Sequence, residues 1–199
     1  AFNKNGDQRG VADPRLGSLA DNGGPTRTHA LLAGSPAIDA VPVGTNGCAA
    51  DFTADQRGVH RPLGGACDAG SVENFGFGGF YSPVDNPDVL NRAKAGSSIP
   101  VKFSLGGDMG LDIFATGTDA NNNAFTYPTS SAMRCDSTDP VDAIEETVAA
   151  GGGSLSYDPT LDRYTYVWKT QKAWAGTCRQ LVVKLDDGTY HRANFKFVR

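Results

Sequence analysis

Residues 13–40 read DPRLGSLADNGGPTRTHALLAGSPAIDA and residues 55–73 read DQRGVHRPLGGACDAGSVE, with Cys48 between the two stretches. Both are dominated by turn formers and small residues, yet their order is too particular for a linker. In Asp21-Asn22-Gly23-Gly24-Pro25 the Asn and the glycines can take the positive φ that a tight turn needs. Ser35-Pro36 imposes an extended entry, because a residue before proline is pushed out of the helical region. Short apolar pieces at residues 28–32 and 37–40 stand between this Gly/Pro punctuation and read as brief strands. Asp7-Gln8-Arg9-Gly10-Val11 recurs as Asp55-Gln56-Arg57-Gly58-Val59, each followed three residues later by a proline, which hints at a duplicated turn. The fold expected here is loop-rich β.

Composition says the same of the whole chain. The 199 residues suit one or two domains. With 39% hydrophobic residues, 25 Gly and 11 Pro, short strands joined by many turns are expected. Nineteen of the 22 acidic residues are Asp. Asp favours turns through bonds to its own backbone, whereas Glu favours helices. The formal net charge is -4, and no basic block marks a nucleic-acid or anionic-membrane partner. No apolar run reaches the roughly 18 to 20 residues that span a bilayer. Ala1-Phe2-Asn3-Lys4-Asn5 lacks the basic and apolar parts of a signal peptide, so the chain reads as an excised or processed C-terminal piece of a longer protein.

From residue 80 onward the grammar changes. Ile99, Val101, Phe103 and Leu105 alternate on one face, and Tyr164, Tyr166 and Trp168 repeat the pattern. Residues 181–185 and 190–198 form a hairpin around Asp186-Asp187-Gly188-Thr189, with Ala193, Phe195 and Phe197 sharing a face. An immunoglobulin-like β-sandwich is expected over residues 80–199. Residues 140–150 are expected to be one helical fragment, with Asp142, Glu145 and Glu146 in its first turn. Between the regions, residues 75–79 form a Gly/Phe hinge, leaving residues 1–74 as a cap-like N-terminal region. The cysteines, Cys48, Cys67, Cys135 and Cys178, contain no CxxC pair and have only three His for company, so disulfides rather than zinc are expected. Of the three pairings, the two-region organisation favours Cys48–Cys67 and Cys135–Cys178, worth about 3 and 4 kcal/mol in the chain-entropy model.

Both regions resemble known bacterial families. Leu19–Thr26, Ser-Pro-Ala-Ile-Asp at residues 35–39 and Asp-Gln-Arg-Gly…Arg-Pro…Cys-Asp-Ala-Gly at residues 55–70 are similar to the closing segment of secreted right-handed β-helix surface proteins of the choice-of-anchor Q type. The second region resembles modules named for a Pro-x-Lys-Phe motif, here Pro100-Val101-Lys102-Phe103, with Phe80-Tyr81-Ser82-Pro83-Val84-Asp85-Asn86 upstream and Leu185-Asp186-Asp187-Gly188 downstream. These resemblances imply a modular cell-surface protein without catalytic residues. A solenoid end needs a cap because its last coil otherwise exposes apolar faces and unpaired edges.

Asp142 with Glu145 or Glu146 could share a helical face as a carboxylate pair, but a solvated first turn accounts for them better. His29, His60 and His191 lack motif context, and Ser35 is not in a GxSxG elbow. Asp119-Ala120-Asn121-Asn122-Asn123 starts like a calcium loop but has Ala124 at position six and Ser130 at position twelve, so a polar variable loop is expected. Lys102 and Asn194 could be imagined as an amide cross-link, but both lie off the apolar faces of their strands. Trp168 belongs to the core. Trp174 is the candidate for ligand contact, by stacking on a sugar, although a plug at the sandwich end accounts for it better because large aromatics seldom stay exposed. No catalytic, metal-binding or cofactor-binding residue is expected. The sequence thus reads as a non-enzymatic extracellular module for adhesion or self-assembly, with head-to-tail addition of residues 1–10 to a neighbour's sheet as a filament route. A carbohydrate-binding module and the tail of a β-helix polysaccharide-degrading enzyme are the alternatives.

Overall fold

The computed structural model describes residues 10–199 apart from 23, 33, 136–138 and 149–153. The duplicated turn at residues 7–9 and most of the N-terminal segment therefore lie outside the described residues. The chain divides into two compact units, Ala1–Gly76 and Phe77–Arg199. It is all-β, with one short 3-10 turn and no α-helix among the described residues.

The first unit contains little sheet. Strands β1 (Leu16–Ala20) and β2 (Thr28–Leu31) form an antiparallel hairpin, and β3 (Val41–Pro42) pairs with β4 (Ala66–Cys67). The hairpin turn is closed by Asn22, whose side-chain amide donates to the Thr28 carbonyl at 2.9 Å and to Thr28 Oγ1 at 3.1 Å. Residues 37–39 form a turn, not a strand. The Ser35 hydroxyl donates to the Pro14 carbonyl at 2.7 Å, and Asp39 takes φ 52°. Four short residues flanked by proline cannot sustain a ladder when a nearby side chain offers the backbone other partners. A disulfide joins Cys48 to Cys67 across 5.9 Å between Cα atoms. At Gly47 a Cβ would lie 2.6 Å from the Phe52 ring, and φ is +80°, so the turn before Cys48 admits glycine alone without strain.

The second unit is a two-sheet sandwich. One sheet has the order β10 (Thr129–Met133), β14 (Cys178–Lys184), β15 (Tyr190–Val198), β6 (Leu90–Lys94), β11 (Val141–Ala143). The other runs β12 (Leu155–Asp158), β13 (Arg163–Lys169), β7 (Ser98–Phe103), β5 (Phe80–Tyr81). A separate hairpin joins β8 (Thr116–Thr118) to β9 (Ala124–Thr126), and the 3-10 turn η1 covers Lys172–Trp174. Two pairings are parallel, β15 with β6 and β6 with β11.

Period-2 alternation decides which side chains enter the core. Ile99, Val101 and Phe103 are buried from β7 and Leu105 just beyond it, and Leu181, Val183, Leu185, Ala193, Phe195 and Phe197 from the β14–β15 hairpin. The two layers meet through rings: Trp168 of β13 stands 4.9 Å from Phe195 and 5.9 Å from Phe197, edge to face. Such contacts add about 1 kcal/mol each beyond area burial. Phe77, expected to belong to a hinge, packs into this unit, stacked on His191 at 3.6 Å and edge-on to Phe80 at 5.2 Å. A second disulfide, Cys135–Cys178, ties the end of β10 to the start of β14.

The helix expected over residues 140–150 does not form. Residues 141–143 instead add an edge strand parallel to β6, and Val148 bridges to Ser98. The backbone groups of Pro140 and Ile144 bond to Leu90 and Arg92, so an available sheet edge outcompetes a weak helical preference. Truncating the central ring, Phe195→Ala, is expected to cost about 3 to 5 kcal/mol of this unit's stability. Urea denaturation followed by tryptophan fluorescence measures it, and a loss below 1 kcal/mol would contradict the assigned core.

Candidate functional site

The densest grouping of charged side chains lies in the first unit, in the residues of the Asp-Gln-Arg-Gly stretch and those that follow it. Asp55 Oδ1 accepts from the backbone N–H of Arg57 at 2.7 Å and of Val59 at 3.0 Å. Its Oδ2 accepts from Arg57 Nε at 2.8 Å and from the Glu73 N–H at 2.9 Å. Arg57 in turn donates to the Glu73 carbonyl at 2.5 Å. Asp68 accepts from the N–H groups of Asp39 and Asn74, each at 2.8 Å. Glu73, with no exposed surface, accepts from the N–H groups of Leu63 and Asp68, each at 3.1 Å. Arg61 Nε lies 2.9 Å from Glu73 Oε2, a charge contact without hydrogen-bond geometry, while its other nitrogen donates to the Gly70 carbonyl at 2.7 Å. Asn74 closes the set by donating to the Leu31 carbonyl at 2.7 Å.

These groups do the work of a missing sheet. Buried backbone N–H groups must find acceptors, and in a stretch with two-residue strands the carboxylates supply them. Burial pushes Glu73 up to about 7 despite the Arg61 charge and raises Asp68 as well. Beside the network, Val41, Asn46, Cys48, Phe52, Arg61 and Asp68 line a hollow of about 200 Å³. Asp68 and Arg61 reach its wall already committed to backbone partners, so the hollow contains no nucleophile–base pair.

Trp174 is half-buried on η1, packed 5.5 Å from Phe197 and 5.8 Å from Trp168, with the Arg179 guanidinium 4.3 Å over its ring. Its ring is covered by that cation and by the two core aromatics. Lys102 Nζ contacts Glu146 Oε2 at 2.5 Å, on the sheet opposite Asn194, which accepts from Gln180 at 3.0 Å. Asp119 binds the N–H groups of Asn121 and Asn123 and the Asn123 amide, a closed turn that holds its carboxyl below its ordinary value. Asp142 does not meet Glu146 on a helix. It lies beside Asp85, whose carboxyl is raised by burial and by the charges of Asp142 and Glu145. Glu145 accepts from the Ser82 hydroxyl at 3.0 Å. Among the described residues no three His, Cys, Asp or Glu side chains gather in a metal-binding arrangement.

His191 has the clearest coupling that its sequence context concealed. Asp187, fully buried, accepts from the Thr189 hydroxyl at 2.6 Å, and Thr189 Oγ1 lies 2.8 Å from His191 Nε2. Because the hydroxyl proton goes to Asp187, the neutral ring donates from Nε2. Burial and the Arg192 charge lower His191 to about 4. The alternation of β15 could have shown it facing inward, since Ala193 and Phe195 share its parity.

Compared with known proteins, the chain matches no family model and no curated sequence.

Two predictions follow from these groups. Replacing Asp55 by Ala removes the carboxylate that balances the Arg57 charge and accepts from three backbone donors, with an expected loss of about 3 to 5 kcal/mol seen as protease nicking between residues 55 and 75 at temperatures where wild type resists. Two buried groups, one in each unit, also respond to acid in opposite directions. Glu73 binds its proton more tightly folded than unfolded, so its contribution grows as pH falls from about 7 toward 4.5. His191 binds its proton less tightly folded, so its contribution is lost as pH falls from 6.5 toward about 4. Between pH 7.5 and 5 each effect is of the order of 2 kcal/mol. Calorimetry of Glu73→Gln and His191→Asn checks this, each variant flattening one of the two trends.

Proposed function

We propose that this chain is a non-enzymatic extracellular structural module, used for adhesion or self-assembly at a bacterial cell surface. The observation that carries the reading is the use of Asp55, Asp68 and Glu73 as backbone acceptors: the buried carboxylates of the densest charged cluster are spent on holding loops together. Two disulfides, one per unit, accord with an oxidising compartment. The resemblance of the first unit to β-helix closing segments and of the second to Pro-x-Lys-Phe modules with an immunoglobulin-like fold points the same way. Val11, Leu16, Leu19 and Leu32 stand exposed on and beside the β1–β2 hairpin. Apolar side chains grouped and exposed on one hairpin offer a surface that favours assembly.

Electron microscopy of the unreduced protein, beside its light-scattering mass, tests this. Regular fibres or large oligomers that dissolve in Leu16→Ser/Leu19→Ser are the expected result. A uniform particle of the chain's own mass, 20.8 kDa, at high concentration would sink the self-assembly half of the reading. Hydrolysis of a polysaccharide by the purified chain would sink the rest.

A further inference from the structure

The outer face of the five-stranded sheet collects cations that the sequence scatters. On β14 and β15 the buried residues are Leu181, Val183, Ala193, Phe195 and Phe197, so Lys184, Tyr190, Arg192, Asn194 and Lys196 point the other way. The parallel register of β15 with β6 sets Lys196 opposite Arg92 and Val198 opposite Lys94, while Asn91 and Ala93 face inward. Residues directly opposite share a face. Lys184, Arg192, Lys196, Arg92 and Lys94 thus line one surface. They are five of the 18 cations of a chain whose net charge is -4.

Among the described strand positions of this face none is an acid. Cys178, buried and disulfide-bonded to Cys135, sits opposite Lys196, and the buried Leu90 sits opposite Asn194; Gln180 and Val182 fill the rest of β14 on this face, with Thr129 and Ser131 opposite them on β10 and Ala143 opposite Arg92 on β11. Asp142 lies across from the inward Asn91, beside Asp85, and Asp186 couples to Lys184 only from the connection beyond the strand. None of the five cations has a carboxylate in ion-pairing contact among the described residues. At one end Lys184 Nζ and the Arg192 guanidinium lie 5.0 and 5.1 Å from the exposed Tyr190 ring, which holds both charges beside an aromatic surface. The Asn194–Gln180 amide pair occupies the middle. At the far end Lys196, Arg92 and Lys94 form the second cluster. From Tyr190 to Val198 the strip runs roughly 26 Å at the rise of a strand.

We propose that this face binds an acidic polysaccharide, a polymer bearing repeated carboxylate or sulfate groups. A long positive strip with an aromatic ring and central amides fits an extended anionic chain that carries hydroxyl groups between its charges. A row of fixed cations on a sheet concentrates such a polymer by its field and registers with repeated charges. The choice of polysaccharide over nucleic acid rests on the extracellular reading above, and the face itself does not.

Affinity electrophoresis of the full chain through gels containing polygalacturonate, neutral dextran or double-stranded DNA tests the proposal. Retardation by polygalacturonate, absent with dextran and fading as salt rises, is expected. Arg92→Glu/Lys196→Glu should weaken it about tenfold or more, since each reversal removes an attraction and adds a repulsion. Arg27→Glu/Lys169→Glu makes the same change of net charge at exposed positions off this face and should leave retardation unchanged. Equal loss in the two doubles, or no retardation of wild type, overturns the site. Stronger retardation by DNA overturns the partner. Unchanged melting temperatures confirm that all variants fold, and Lys184→Gln/Arg192→Gln gives a milder variant expected to show a smaller loss. Electron microscopy of the same proteins separates the two readings: fibres without polysaccharide binding overturn this inference alone, and binding by single particles overturns assembly alone.

Discussion

A buried N–H must have an acceptor, and in the first unit that rule shapes nearly everything. One short hairpin and one two-residue strand pairing leave most of its backbone outside any ladder. Three carboxylates, on Asp55, Asp68 and Glu73, gather donors from segments as far apart as residues 39 and 74. Each is costly to bury, and each is tolerable because it meets at least two N–H groups. Arg57 and Arg61 then balance the charge and reach on to carbonyls, so donors and acceptors of the loops are handled by one connected network. The Cys48–Cys67 bond sits against it, next to Asp68, and limits how far the loops can part.

The second unit obeys the opposite logic. Its backbone is satisfied by ladders, and its specificity comes from shape. Phe103, Tyr164, Trp168, Phe195 and Phe197 meet at ring distances that leave little freedom for repacking. Polar groups enter only in closed sets. Asp187, Thr189 and His191 share protons along one line beneath the β14–β15 turn, and the Phe77 ring covers the imidazole. Trp174 closes one side of the aromatic set, and Arg179 seals its outer surface.

What could be read in advance depended on how local the signal was. The all-β class was visible in the preference for Asp over Glu, and the core faces of β7 and β15 in strict alternation at Ile99, Val101, Phe103 and at Ala193, Phe195, Phe197. The Asp-Gly turn marked its hairpin. Residues 140–150 misled because acids near a proline favour a helix start, whereas a vacant edge of β6 decided the outcome. Residues 37–40 misled because apolar character alone does not distinguish a strand from a turn whose N–H groups bond to Ser35 and Asp68. The carboxylate network was invisible as chemistry, although its residues were the very ones whose order looked too particular for a linker. The cationic face was further from reach. Arg92 and Lys196 lie far apart in the chain, and only the register of a parallel pairing makes them neighbours.

That parallel pairing also governs how the second unit would bear a load. β6 lies near the start of the unit and β15 at its end, side by side and running the same way through five register pairs. Tension applied at the two ends would slide these strands along each other, stressing their bonds together instead of opening them one by one. The two residues of β5 would peel first, being the only paired segment ahead of β6 in this unit. Extension beyond β6 and β15 would still stop at the Cys135–Cys178 link, which removes the intervening chain from the length that can be paid out. The pairing that assembles a charged surface is therefore also the mechanical clamp of the unit.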